Sequence, residues 1–173
     1  MLTEAMNRNA YENMIRYLDE QELELHTTGV VLLDLDNLKE INDNFGHEKG
    51  DEALKLCYQC IRQAFPSEQN CFRIGGDEFA YIFHKDEKAL IADKLHKLEL
   101  LLNEKDQDLS YSLSVSSGYA YYQPDTDMDF KDIVRRSDTM LYREKRRKKN
   151  VTFRFFSSDA FFRKAISCTR DHG

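Results

Sequence analysis

Arg73-Ile74-Gly75-Gly76-Asp77-Glu78-Phe79 sets two glycines and two acids between apolar runs. Two adjacent glycines separate the short apolar runs Cys71-Phe72-Arg73-Ile74 and Phe79-Ala80-Tyr81-Ile82-Phe83, which is the pattern of a β-hairpin. Glycine there permits positive φ and lets a ligand approach the backbone closely. The hairpin is not a P-loop, because no glycine-lysine pair followed by serine or threonine completes one.

Working outward, Val30-Val31-Leu32-Leu33 reads as a buried strand that ends in Asp34-Leu35-Asp36. The apolar spacing predicts helices over 3–25, 37–45, 51–65, 86–103 and 130–145, with Asp51 near the N-terminus of the third. Further strands are expected over 112–122 and 151–155. The chain shows no internal repeat and no low-complexity linker. Mixed elements around an antiparallel hairpin predict an α/β domain of the α+β type, a mostly antiparallel central sheet flanked by helices. One domain over 1–156 is expected, followed by a tail over 157–173 to which the pattern assigns no structure.

The 173 residues suit one core, and 7 glycines with 2 prolines argue against disorder. A net charge of −6 excludes a general nucleic-acid binder, which needs a broad basic face. The basic run from Arg143 to Lys149 reads either as a solvated helix face or as a contact for phosphate or lipid. No apolar run reaches the roughly 18 residues that span a membrane, and no secretory signal opens the chain. A cytoplasmic location is expected, directly or as the cytoplasmic part of a longer membrane protein. Cys57 and Cys60 form a CxxC on an apolar helical face. With no second CxxC or paired histidine, Cys57 and Cys60 read as buried hydrophobes rather than zinc ligands.

The acids carry the chemistry. Asp34 and Asp36 follow a buried strand, and Asp77 and Glu78 sit at the hairpin. Such carboxylates either face water or are paired with a cation, because desolvating them alone is costly. If the strands are neighbours, Asp34 and Asp77 converge on a donor set that suits magnesium. The polar stretch from Leu38 to Asp51 allows a third role. Asn42 and Asp51 can read a guanine edge, or they are an ordinary helix residue and an N-cap.

These residues together resemble the GGDEF family of diguanylate cyclases. Gly75-Gly76-Asp77-Glu78-Phe79 is its signature string. Asp34-Leu35-Asp36-Asn37-Leu38-Lys39 is similar to its D-I/L-D-x-F-K block, and Asn42-Asp43, Gly46-His47 and Gly50-Asp51 to its next block. Leu2-Thr3 with Asn7-Arg8, Ser114 to Ala120, and Asp138, Leu141-Tyr142, Lys145 and Asn150 resemble three more, in order. The resemblance implies a palm-like nucleotide-cyclase fold that condenses two GTP into cyclic di-GMP across a homodimer, releasing two pyrophosphates. It implies two Mg2+ per active site, or Mn2+ in their place, with Asp34, the Leu35 carbonyl and Asp77 as ligands. Asp77, Lys39 and Glu78 are the implied catalytic residues: Asp77 as acceptor of the 3′-hydroxyl proton, Glu78 beside the second metal. Asn42, His47, Asp51, Gly75, Gly76, Lys145 and Lys149 are the implied substrate contacts. A sensory or regulatory domain N-terminal to these motifs is expected, with no nucleic-acid partner and a membrane only through a region outside this chain.

The chain departs from the pattern at Glu4-Ala5, where Gly-Leu is usual, and at Leu38, where Phe is usual. Lys148-Lys149 replaces a common Gly-Arg, which keeps charge but loses the bidentate fork. The family's inhibitory R-x-x-D reads Pro66-Ser67-Glu68-Gln69 here, so no product inhibition through that site is expected. The alternatives are a catalytically silent GTP or cyclic di-GMP sensor, a cyclase acting on ATP or mixed nucleotides, and a binder acting through the basic run.

Overall fold

The structure, a computed structural model, describes residues 2–67 and 70–168, with 151–168 as backbone only. Among the described residues four strands form one sheet in the order β2-β3-β1-β4. These are β1 (Thr28–Leu35), β2 (Cys71–Arg73), β3 (Glu78–His84) and β4 (Val115–Tyr121). All three pairings are antiparallel, as expected. Central β1 is buried along its whole length, because helices cover both faces of the sheet. That explains its unbroken apolar run where a one-sided strand would alternate.

The helices are α1 (Arg8–Glu20), α2 (Glu22–Leu25), α3 (Leu38–Phe45), α4 (His47–Ala64), α5 (Ile91–Asp106) and α6 (Phe130–Cys168). The side-chain period of two divides β1 between two cores. Val31, Leu33 and Leu35 pack with Leu54, Cys57 and Ile61 of α4 and Leu98 and Leu102 of α5. Val30 and Leu32 pack with Tyr11 and Leu18 of α1 and Ile133 and Leu141 of α6. Cys57 and Cys60 are buried free thiols in the first core, as their apolar spacing predicts, and Cys71 of β2 joins them there.

Several boundaries differ from the sequence reading, each for a physical reason. α1 begins at Arg8, not residue 3, because the Asn7 side chain caps it by accepting from the Ala10 N–H. The chain before it runs beside β2, with a bridge between Met6 and Phe72. α4 begins at His47, so Asp51 lies inside the helix instead of near its start. Gly46, at φ +88°, ends α3 and opens α4 in one residue. The stretch expected as one helix from residue 86 opens with a 3-10 turn, Lys85–Leu90, before α5. β4 is shorter than expected at both ends.

The expected strand over 151–155 is absent: those residues continue α6, which runs to Cys168. No glycine or proline occurs between Pro124 and Gly173, so nothing punctuates the helix. The β-branched and aromatic preference of Val151-Thr152-Phe153 is too weak a signal to set that boundary. Residues 169–173 of the expected tail lie outside the described residues.

α6 sits directly on β4. A Cβ placed on Gly118 would lie 2.3 Å from both the Ser137 carbonyl oxygen and the Leu141 nitrogen. The Ser137 hydroxyl donates to the Gly118 carbonyl at 2.8 Å. Gly118 therefore lets helix and strand backbones touch, which fixes where the later residues of α6 project. The start of α6 is tied to α1, since the Phe130 N–H donates to the Asp19 carboxylate at 2.8 Å.

Candidate active site

The C-terminal end of β1 is where the acids collect. In the sheet register Asp34 lies opposite Glu78 on β3 and Ser116 on β4. The Leu35 N–H donates to the Asp77 carbonyl at 3.0 Å, which fixes the hairpin against the strand end. Asp34, Leu35, Asp36, Lys39, Asp77, Lys145 and Lys149 line one open cleft of about 940 Å³. Asp34 and Asp77 can converge only if β1 neighbours the hairpin, and β1 pairs with β3.

The environment of Asp34 is the least ordinary in the cleft. It is 5% exposed, and Lys145 Nζ lies 2.6 Å from its Oδ2. Burial pushes its carboxyl above the usual carboxylate range. Lys145 works against that rise, and the nearby charges of Asp77 and Asp36 add to it. A charged carboxylate at that depth calls for a cation.

Asp36 is held quite differently. It accepts from the Ser114 hydroxyl at 2.9 Å, the Ser116 hydroxyl at 2.6 Å and Lys148 Nζ at 2.9 Å. Ser114, Ser116 and Lys148 are absent from the sequence-derived candidates. The signals were there: serines two apart where β4 begins, and a lysine one turn after Lys145. Neither points to Asp36 until the fold places β4 beside β1.

At the hairpin, neither Gly75 nor Gly76 has positive φ, contrary to the sequence expectation. The glycines supply space instead. A Cβ on Gly75 would meet Glu78 Oε2 at 2.3 Å, so the exposed Glu78 side chain folds back over the turn. Gly76 faces open space, and its carbonyl accepts from Arg73 Nη2 at 2.6 Å.

The remaining candidates stand apart from this cleft lining. Asn42 is on α3 and packs against Gly50 of α4, where a Cβ would fall 1.9 Å from Asn42 Oδ1. His47 and Asp51 are exposed near the start of α4. Of the stretch replacing the inhibitory motif, Glu68 and Gln69 lie outside the described residues. Among the described residues no helix is long and apolar enough to cross a membrane.

An antiparallel sheet with helices on both faces and acids at the end of its central strand defines a palm-like α/β domain of the nucleotide-cyclase type. The chain belongs to the GGDEF family: the model of the diguanylate cyclase, GGDEF domain matches residues 1–151. It is 38% identical over 130 residues to the probable diguanylate cyclase DgcF of Escherichia coli, covering 71% of this chain and 41% of that protein. It is 33% identical over 125 residues to a diguanylate cyclase of Vibrio cholerae, covering 69% of this chain and 37% of that one. Among solved structures it is similar to the GGDEF domain of DgcB from Caulobacter crescentus in complex with c-di-GMP. The TM-score is 0.73 at 27% identity, over 84% of this chain and 88% of that one. The chain spans less than half the length of these two curated relatives.

Proposed function

We propose that this chain is the catalytic domain of a diguanylate cyclase, joining two GTP into cyclic di-GMP with loss of two pyrophosphates. The observation that carries the reading is the single cleft in which Asp34, Leu35 and Asp77 meet Lys39, Lys145 and Lys149. Family membership and relatives named as diguanylate cyclases support it.

The donors fit a hard divalent cation. Asp34 and Asp77 offer carboxylate oxygens and Leu35 a backbone carbonyl, and among the described residues no cysteine or histidine lines the cleft. Among the described residues no three His, Cys, Asp or Glu side chains gather into a closed metal cage. An open, oxygen-only set matches magnesium, which keeps water and substrate phosphate among its ligands. When bound there, Mg2+ or Mn2+ would lower the pKa of the 3′-hydroxyl and offset charge on the phosphoryl oxygens.

The protein's own groups do the rest in this reading. Lys39, Lys145 and Lys149 bind the triphosphate and stabilise the departing pyrophosphate. Asn42 and Asp51 read the guanine, with His47 nearby, and the turn at Gly75-Gly76 admits the nucleotide closely. Asp77 accepts the proton of the 3′-hydroxyl, and Glu78 helps hold a second cation. The 3′-oxygen of one nucleotide forms a bond to the α-phosphorus of the other as the bond to pyrophosphate breaks. Two such steps close the ring, so two copies of the domain must face each other. A regulatory module elsewhere in a longer protein would bring them together, in keeping with the fraction of its relatives that this chain spans.

The test is incubation with GTP and magnesium at several protein concentrations, with chromatography of the products. Cyclic di-GMP formed at a specific rate that rises with protein concentration supports the reading. GTP bound without turnover at any concentration replaces it with a sensor. Comparable turnover of ATP refutes the guanine assignment.

A further inference from the structure

Lys145 and Lys148 lie three residues apart on α6, so they share one face of the helix. Each reaches a different acid of the strand end. Lys145 Nζ is 2.6 Å from Asp34 Oδ2, and Lys148 Nζ is 2.9 Å from Asp36 Oδ2. The two pairs are built differently. Lys148 also donates to the Val115 carbonyl at 2.6 Å, and Asp36 also accepts from the Ser114 and Ser116 hydroxyls. That pair is fixed on several sides. Lys145 reaches Asp34 from the open cleft, on a flexible stem that is 36% exposed, while Asp34 itself is buried beside Asp77.

We propose that Lys145 is a built-in substitute for the divalent cation. In the nucleotide-free protein its ammonium neutralises Asp34 and competes with the cation for that carboxylate. A nucleotide phosphate draws the ammonium away and frees Asp34. The inference rests on the reading of Asp34 as a metal ligand and adds how access to it is controlled.

The physics is a comparison of partners. A carboxylate this deep stays ionised only with a positive charge beside it, whether that charge is a metal or an ammonium. A monovalent ammonium and a divalent ion on one carboxylate oxygen repel each other strongly at low effective dielectric. A triphosphate gives the ammonium another home within reach of its four-carbon stem. Nucleotide and cation then favour each other's binding, and by linkage the coupling is reciprocal. The protein would load the two together while avoiding an uncompensated buried charge when empty.

The test reads cation binding rather than turnover. Free Mn2+ is measured by electron paramagnetic resonance in mildly alkaline buffer, for the wild-type chain, Lys145→Met, Lys145→Gln, Lys148→Met and Asp34→Asn. Each is measured with and without a GTP analogue whose α,β-bridging oxygen is replaced by methylene, and thermal melting checks each fold. Without nucleotide, both Lys145 variants should bind Mn2+ about tenfold more tightly than wild type, a typical size for a coupling between sites. Lys148→Met removes an ammonium that serves Asp36 rather than Asp34, so it should tighten Mn2+ binding less than either Lys145 variant does. The analogue should tighten Mn2+ binding more in wild type than in the Lys145 variants. Folded Lys145 variants that bind Mn2+ no more tightly than wild type overturn the inference and leave the metal reading standing. An Asp34→Asn chain that keeps wild-type Mn2+ affinity with the analogue bound removes the metal reading and the inference with it.

Discussion

Gly118→Ala is the most revealing single change outside the cleft. The new methyl would sit 2.3 Å from two backbone atoms of α6, the Ser137 oxygen and the Leu141 nitrogen. Backbone atoms cannot rotate aside, so α6 must lift by about 1 Å to restore ordinary contact in a close-packed interior. Overpacking of this kind costs about 1–3 kcal/mol. The Ser137 hydrogen bond to the Gly118 carbonyl is stretched too, adding about 1 kcal/mol. The total of about 2–4 kcal/mol should lower the urea midpoint by about 1 M. Lys145 lies one helical turn beyond Leu141 and meets Asp34 at only 2.6 Å, so the shift also reaches the cleft. Misplacement by about 1 Å can cost about a hundredfold in rate. The assay pairs urea unfolding followed by circular dichroism with the yield of cyclic di-GMP from GTP. An unchanged midpoint with unchanged turnover would refute the claim that this contact sets the position of α6.

Three further expectations concern other parts of the chain. Gly50→Ala places a methyl on Asn42 Oδ1 and should displace the amide proposed to read the base; KM for GTP should rise about tenfold or more with a smaller change in kcat, the mark of lost ground-state binding, and an unchanged KM would remove Asn42 from base recognition. The Tyr11 hydroxyl is buried without a hydrogen-bond partner among the described residues, and burial pushes its pKa up to about 12; Tyr11→Phe should therefore leave thermal stability unchanged or raise it by up to about 1 kcal/mol, whereas a loss of that size would reveal a hidden partner. Added cyclic di-GMP should not slow the reaction through residues 66–69, which lack the arginine and aspartate of the inhibitory motif; inhibition that shifts on replacing Pro66 or Gln69 would contradict this.

How much was legible in the sequence depends on the range of the cause. The hairpin, β1 and the apolar stripes of α4 and α5 are local patterns, and they read correctly. Cys57 and Cys60 read correctly as core residues because their spacing puts them on the stripe with Leu54 and Ile61. The role of the glycines at the hairpin did not read through. Two glycines suggest positive φ, yet Gly75 serves to make room for a side chain three residues later. The end of α6 was misplaced because a stop was inferred from β-preferring residues where no helix-breaking residue exists. Ser114, Ser116 and Lys148 were missed because what they share is Asp36, which is distant in sequence and adjacent only once β4 pairs with β1.

The central claim is that Asp34 and Asp77 act as one site on GTP. The direct measurement is cyclic di-GMP formed from GTP and magnesium by wild type, Asp34→Asn and Asp77→Asn. Each should be checked for an intact fold by circular dichroism and run at a protein concentration where wild type turns over. Wild type should form product, and both variants should lose about a hundredfold to a thousandfold in rate, the range for removing a principal electrostatic group. Wild-type rates from either folded variant would contradict it.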